Sequence, residues 1–147
     1  MITVRVDSTE VNQALGSLAQ NANNLRPAFN QIGEYILRQT QLRFDKQQDP
    51  DKKSWQPLKP STLRKKQQKS KILKILQQDG DLRRSIVYQA TDKKVEIGTN
   101  RIYGAIHQFG GNAGRGRKTK IPARPYLGVN GDDEREVVAI IEDYLQG

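Results

Sequence analysis

The segment 24–47 carries the clearest periodic pattern of the N-terminal half and limits the fold most. Its core-type side chains recur every three or four residues, which is the spacing of one face of an α-helix. The positions are Leu25, Phe29, Ile32, Ile36, Thr40 and Phe44. This stripe predicts a long helix that contributes to a hydrophobic core, with Asn24 available as its cap.

Weaker patterns on either side predict further elements. Ile2, Val4 and Val6 alternate as in a short strand, and a weak helix is predicted from Ser8. That helix would present Val11, Leu15, Leu18 and Ala22 on one side. The C-terminal helix is predicted from an acidic first turn, with Asp132 as its cap, and from a wide apolar stripe. The stripe consists of Val137, Val138, Ile140, Ile141, Tyr144 and Leu145.

The middle of the chain predicts a β-hairpin among irregular connections. Alternating side chains flank the turn residues 91–94; they are Ile86, Tyr88, Ala90, Val95 and Ile97. Residues 47–60 hold three prolines and predict an irregular connection anchored by Trp55 and Leu58, followed by a short basic helix starting at Ser61. Another short helix is expected at about 102–109, and an extended segment with Tyr126 and Leu127 as anchors follows. We therefore expect one α+β domain spanning 1–147, with a short antiparallel sheet packed against a long N-terminal helix and a C-terminal helix.

Charge is distributed unevenly along the 147 residues, whose net charge is +9. Residues 46–84 carry twelve Lys or Arg against four acids, and residues 101–124 carry six against none. Residues 132–147 carry one against six. Two basic blocks and an acidic tail suit either a polyanionic partner or a neighbouring copy of the same chain.

Enzymatic classes receive little support. His107 is the only histidine and the chain has no cysteine, so a thiolate nucleophile or a cysteine-ligated zinc is excluded. The glycines in 110–116 follow a predicted helix and lack the Lys-Ser/Thr pair of a phosphate-binding loop. We expect no catalysis, no cofactor and no metal. The start of the chain lacks the pattern of a signal peptide, and no stretch has the apolar length of a membrane span, so we expect synthesis in the cytoplasm and no membrane contact.

A nucleic-acid-binding module is the alternative. Basic residues of the predicted helix after Ser61 could meet phosphates, namely Arg64, Lys65, Lys66 and Lys69. Aromatic residues make up only 6% of the chain, so few side chains are available for base stacking. The expected contact is therefore nonspecific and confined to the backbone.

Four short motifs occur in an order that identifies a family resemblance. They are "SWQPLKPSTLRKK" at 54–66, "KILQQDGDLRRSI" at 74–86, "VEIGTNRIYGAIHQFG" at 95–110 and "IPARPYLGV" at 121–129. In this order and spacing the chain resembles the phage virion morphogenesis family, the tail-completion and head-tail joining proteins of Mu-like and related contractile-tailed phages. The resemblance implies a structural component of a phage or prophage virion that forms homo-oligomeric rings and binds tail or head-tail connector proteins, with possible nonspecific DNA contact. It also implies a location in the host cytoplasm during assembly and later in the tail or head-tail joint.

Residues 110–120, "GGNAGRGRKTK", are the candidate docking loop. They contain four cations, no acid and no apolar side chain larger than alanine, so the loop is predicted to be mobile in the isolated chain. Acidic side chains of the C-terminal helix in an adjacent subunit, from Asp132 and Asp133 to Asp143, are one expected counterpart. The candidate partner-binding residues are Arg115, Arg117, Lys118, Lys120, His107, Gln108 and Arg124.

Overall fold

A computed structural model describes residues 8–21, 24–77 and 80–146. Its helices are α1 (Thr9–Asn21), α2 (Arg26–Lys46), α3 (Pro60–Gln68), α4 (Asp81–Ser85), α5 (Gly104–Phe109) and α6 (Gly131–Gln146). Its strands are β1 (Val87–Ala90), β2 (Val95–Gly98), β3 (Gly111–Ala113) and β4 (Thr119–Ile121), and a 3₁₀ turn covers Arg115–Arg117. The predicted strand of Ile2, Val4 and Val6 and the predicted helix position Ala22 lie outside the described residues.

The strands form two separate antiparallel pairs. In the first, Val87 faces Gly98 and Ala90 faces Val95, and this pair lies against α2. In the second, Gly111 faces Ile121 and Ala113 faces Thr119. Helix α6 contacts both α1 and α2. The predicted α+β class, with a short antiparallel sheet and N- and C-terminal helices, is confirmed.

Two clusters of buried side chains share helix α2. The first joins α1, α2 and α6 through Leu18, Ala28, Phe29, Ile32, Ile36, Val137 and Ile141. The second contains Phe44, Trp55, Ile75, Leu82, Ile86, Tyr126 and Leu127. Ile97 packs against both clusters, so the first hairpin connects them. The predicted stripe of α2 is buried from Phe29 to Phe44, and Trp55, Tyr126 and Leu127 anchor their segments as expected.

Helix starts differ from the predictions in two places. Helix α3 begins at Pro60 after Lys59, one residue before the predicted Ser61, because proline fits the first turn, where its missing N–H costs nothing. Asn130, and not Asp132, caps α6: its Oδ1 accepts the Asp133 N–H at 2.8 Å, and Asp133 Oδ2 accepts the Asn130 N–H at 3.0 Å. At α2 the Asn24 side chain does accept the Arg26 N–H, at 3.3 Å.

Two further elements were not predicted as such. Asp81–Ser85 forms helix α4 immediately before the first hairpin, in a segment whose pattern predicted only strands. Residues 111–121 form β3, the 3₁₀ turn and β4, whereas the sequence predicted an irregular loop. We call these eleven residues the basic hairpin.

Candidate partner-binding surface

The basic hairpin is held at its base by buried hydrogen bonds. The Gln108 carboxamide oxygen accepts the N–H groups of Tyr126 and Leu127, both at 2.9 Å, and its nitrogen donates to the Leu127 carbonyl at 2.9 Å. The Tyr126 hydroxyl donates to the Gly104 carbonyl at 2.7 Å, and Arg124 N–H donates to the His107 carbonyl at 2.8 Å. The segment before the hairpin and the segment after it are therefore fastened to each other.

Two arginines and the tryptophan extend this anchor to the rest of the domain. Arg124 donates through Nε to the Gln56 carbonyl at 2.9 Å and through Nη2 to the Pro57 carbonyl at 3.3 Å. Trp55 Nε1 donates to the Pro125 carbonyl at 2.7 Å. Arg43 of α2 donates to the carbonyls of Tyr126 and Gly128 at 3.1 and 2.8 Å. We call the side chains of Arg43, Trp55, Gln108, Arg124 and Tyr126 the anchor network.

Gly110 is required where the chain leaves α5. Its φ is +74°, and a Cβ at this position would lie 2.9 Å from the Ala123 nitrogen and 3.0 Å from the Ile121 carbonyl oxygen. A side chain would therefore separate the two ends of the basic hairpin.

The candidate residues divide into two groups by their burial. Gln108 and Arg124 are buried in the anchor network, so they hold the base of the basic hairpin in place and do not face a partner. Their burial depends on hydrogen-bond partners far away in the sequence, which the sequence pattern does not reveal. The four hairpin cations, Arg115, Arg117, Lys118 and Lys120, are exposed. Within the described part of the chain none of these four forms an ion pair.

Apolar side chains are exposed beside the base of the hairpin. Ile102 is 98% exposed, although the buried Gly104 lies only two residues further on. Phe109 is 64% exposed, although it directly follows the buried Gln108. Tyr103 is 40% exposed, and its ring meets the His107 ring edge-on at 6.0 Å. Exposed large apolar side chains next to a charged projection are typical of an interaction surface.

A cleft of about 590 Å³ lies between α3, α5 and β4 and brings the two basic blocks of the sequence together. Lys59 and Lys66 line it from one side, and His107, Lys120 and Arg124 line it from the other. Lys66 is only 7% exposed and its Nζ donates to the Lys74 carbonyl at 2.9 Å, so it does not share the solvent-facing role predicted for it with Arg64, Lys65 and Lys69. Those three side chains are exposed, the first two on α3 and Lys69 immediately after its last residue.

Positive groups dominate the electrostatics of the cleft, and among the described residues neither Lys66 nor Arg124 forms an ion pair. Burial lowers the pKa of the His107 imidazole, and the Arg124 charge lowers it further. The same two causes, burial and then Arg124, lower the pKa of Lys66. His107 Nδ1 is buried and has no hydrogen-bond partner in the described structure.

The acidic counterpart predicted on α6 is smaller than expected. Asp133 is buried and accepts Arg43 Nη2 at 2.7 Å and the Tyr35 hydroxyl at 2.9 Å, so it is not available to a partner, contrary to the prediction. Asp132 pairs with Lys52 at 3.3 Å and with Arg135. The exposed acids that remain further along the helix are Glu136, Glu142 and Asp143.

Two classes of site are not found in the described residues. They contain no group of three or more His, Cys, Asp or Glu side chains able to hold a metal ion. None of the helices in 8–21, 24–77 and 80–146 combines the length and hydropathy of a membrane span.

Comparison with known proteins gives the family. The profile of the phage virion morphogenesis family matches residues 6–146. The chain is 33% identical over 139 residues to "Putative capsid assembly protein G" of Escherichia phage Mu, an alignment that covers 92% of this chain and 88% of that protein.

Two prophage proteins of Haemophilus influenzae are also similar. "Mu-like prophage FluMu G protein 2" is 48% identical over 66 residues, which span 45% of this chain and about half (48%) of that protein. "Mu-like prophage FluMu G protein 1" is 28% identical over 146 residues, or 98% of this chain and 94% of that protein. No solved structure matches the chain significantly. The chain belongs to the phage virion morphogenesis family.

Proposed function

We propose that this member of the phage virion morphogenesis family is a ring-forming structural subunit of tail completion or head-tail joining. In this role the basic hairpin of one subunit docks on an acidic surface, either α6 of the next subunit or an equivalent face of a tail or head protein. The location follows from the role: the host cytoplasm during assembly, and then the tail or the head-tail joint.

The observation that carries the proposal is the contrast between the hairpin and its base. The base is fixed by the anchor network, whereas Arg115, Arg117, Lys118 and Lys120 project without ion pairs in the described structure. The four cations lie on one short hairpin, and Ile102 and Phe109 are exposed near its base. This combination of charged and apolar side chains is typical of a protein–protein interface, which is desolvated only when the partner binds.

Charge complementarity supports a head-to-tail contact. A ring places one patch of each subunit against a different patch of the next, so a basic projection requires an acidic face elsewhere on the same chain. Glu136, Glu142 and Asp143 supply exposed acids on α6. Fixed opposite charges at such a contact raise the association rate and disfavour wrong partners.

The test neutralises the hairpin and leaves its backbone in place. A quadruple variant carries Arg115→Gln, Arg117→Gln, Lys118→Gln and Lys120→Gln, and its matched control, the α3 triple variant, carries Arg64→Gln and Lys65→Gln on α3 and Lys69→Gln at its C-terminal end. Each is supplied to a phage or prophage that lacks the gene, and joined virions are counted by electron microscopy. The quadruple variant should lose joined virions while the melting temperature of the isolated chain stays nearly unchanged, and the control should retain both. Normal virion yield, or an unfolded quadruple variant, would refute the docking role.

A nucleic-acid-binding module remains the second proposal, because Arg64 and Lys65 on α3 and Lys69 at its C-terminal end are all exposed. Contacts to phosphates alone are nonspecific and sensitive to salt, so binding to a DNA duplex in ~50 mM salt should largely vanish by ~200 mM. Tight, sequence-selective binding at the higher salt, lost in the α3 triple variant, would favour this module over the assembly role.

A further inference from the structure

The cleft between α3, α5 and β4 collects buried positive groups around an apolar wall. Leu58, Leu76 and Ile121 contribute to the wall. Lys66 and Arg124 are 7% and 8% exposed, and the half-buried His107 lines the same space. Asp81 is the only acid among the described lining residues, and it forms an ion pair with Arg84 at 2.9 Å.

The hydrogen-bonding capacity of these groups is only partly used inside the chain. Lys66 Nζ has three donors and donates to one carbonyl, that of Lys74. Arg124 uses Nε and Nη2 on the carbonyls of Gln56 and Pro57, and its Nη1 has no partner among the described residues. His107 Nδ1 is likewise buried without one. A buried charge is costly unless it is paired, so this cluster favours the entry of an anion.

The shape and lining of the cleft select the kind of anion. A DNA duplex presents its phosphates on a wide, rigid surface, and it cannot bring one into a concave site where the cations are nearly buried. A carboxylate on a flexible side chain can enter, and apolar neighbours in its own chain can cover the wall formed by Leu58, Leu76 and Ile121. Charge-assisted hydrogen bonds to a carboxylate are among the strongest available to Lys and Arg.

We propose that this cleft binds an acidic side chain, flanked by apolar residues, from a protein partner in the virion, and that Lys66, His107 and Arg124 hold the carboxylate. The partner class rests on the proposed assembly function. The carboxylate site itself does not require the basic hairpin to dock.

The test uses the single histidine of the chain as a probe. Because His107 is the only imidazole, its ring resonances in a tag-free protein report on the cleft without ambiguity. The ligands are the blocked tripeptides Leu-Glu-Leu and Leu-Gln-Leu, which differ in charge and hardly in size, and a 12-base-pair DNA duplex. The Glu peptide should shift the His107 resonances saturably, with an affinity about fivefold or more above that of the Gln peptide. It should also raise the pKa of His107, whereas the Gln peptide should not.

Variants separate the cleft from the hairpin and from folding defects. Lys66→Met should weaken binding of the Glu peptide by about fivefold or more. Lys59→Gln, at the exposed rim of the cleft, should weaken binding of the Glu peptide by a smaller factor. This second variant still tests the cleft if the Lys66 variant does not fold. Arg64→Gln on the outer face of α3, and a triple Arg115→Gln, Arg117→Gln, Lys118→Gln variant, should bind as the parent does.

Equal binding of the two peptides, no saturable shift at His107, or a His107 shift with DNA that Lys66→Met removes would each overturn the carboxylate site. The triple hairpin variant keeps Lys120 and so leaves the cleft lining intact, and it separates the two proposals. If this variant loses virion joining while the parent fails to bind the Glu peptide, the assembly function stands and the cleft proposal alone is rejected. If it joins virions normally while the parent binds the peptide, the docking role of the hairpin is rejected and the cleft proposal stands.

Discussion

Arg43 Nη2 donates to Asp133 Oδ2 at 2.7 Å, and this buried ion pair joins α2 to the start of α6 across 90 residues of sequence. The same arginine holds the carbonyls of Tyr126 and Gly128, and the same aspartate completes the cap of α6 with Asn130. The pair therefore links the long core helix, the C-terminal helix and the segment that follows the basic hairpin.

Asp133→Ala should lower the free energy of unfolding by about 3–5 kcal/mol, because it leaves the Arg43 guanidinium buried without its counter-charge. Asp132→Ala is the matched control: the neighbouring carboxylate is exposed, and its pairs with Lys52 and Arg135 are screened by water. Urea denaturation followed by circular dichroism measures both. An equal decrease in the free energy of unfolding in the two variants would show that the buried ion pair stabilises the fold no more than the exposed ones do.

Gln108→Leu should destabilise the domain by about 1–3 kcal/mol for each buried backbone group left unpaired. The groups concerned are the N–H of Tyr126 and the N–H and carbonyl of Leu127. Gln89→Leu, an exposed position on β1, is the control and should stay close to the parent. Thermal denaturation distinguishes them, and a Gln108 variant as stable as the Gln89 variant would contradict the anchoring role.

Gly110→Ala and Gly116→Ala can be compared because both glycines have a positive φ, +74° at the first position and +70° at the second. The backbone strain is larger at Gly110, where ψ is 179° and the conformation is adopted essentially by glycine alone, than at Gly116, where ψ is 13° and the conformation lies near the left-handed helical region. Only Gly110 would also place a Cβ against backbone atoms, at 2.9 Å from the Ala123 nitrogen, whereas the nearest atom to a Cβ at Gly116 is a flexible Lys118 carbon at 3.6 Å. Gly110→Ala should therefore cost about 1–3 kcal/mol more than Gly116→Ala in urea denaturation. If Gly116→Ala lowered the free energy of unfolding more than Gly110→Ala, the close contact between Gly110 and Ala123 would not be important for stability.

Acidification should destabilise the parent more than a His107→Gln variant. The folded chain lowers the pKa of His107 below the ordinary 6.5, so as pH falls below 6.5 the unfolded chain gains a proton that the folded chain resists. The free energy of unfolding should therefore fall by up to about 1.4 kcal/mol per pH unit through this window. Among the charged groups that line the cleft, Arg124 opposes protonation of His107, Lys66 and Lys120 add no negative charge, and Asp81 is already paired with Arg84.

The measurement is urea denaturation of both proteins at pH 7.5 and 5.5. The variant loses the Tyr103–His107 ring contact at both pH values, so the test is the change of the stability difference with pH and not its size. A stability difference between parent and variant that is the same at both pH values would contradict the lowered pKa.

Backbone amides of the basic hairpin should exchange faster with deuterium than those of the first hairpin in the isolated chain. The basic hairpin has three paired positions on each strand, and its cations are exposed, so little packing opposes its opening. Val87–Ala90 and Val95–Gly98 pack on α2 and serve as the internal reference. Equal protection of the two hairpins would show that residues 111–121 are already rigid before any partner binds.

Local periodicity was enough to predict much of the fold. The buried stripe of α2, the turn at 91–94 and the apolar face of α6 all follow from spacing within one element. Helix α4 has only five residues, which are too few to show a helical period, so its sequence does not predict it. The acidic first turn of α6 points to Asp132 as its cap, and only the reciprocal bonds between Asn130 and Asp133 identify Asn130 instead.

The candidate surface was predictable only in part. Residues 110–120 contain no apolar side chain larger than alanine, and this composition predicts that the four hairpin cations are exposed. They are exposed in the structure. The burial of Gln108, Arg124 and Asp133 depends on partners between 18 and 90 residues away, so no local pattern indicates it. Lys66 and His107 line the same cleft although they are far apart in the sequence, so no local pattern predicts that they lie close together.

The close approach of Gly110 and Ala123 makes the twelve residues between them, 111–122, a replaceable cassette. Because both ends are fixed by buried bonds of the domain, a change in the length or charge of the cassette should leave the core unaltered. For the same reason, a foreign peptide grafted between residues 111 and 121 should be displayed without loss of the native fold.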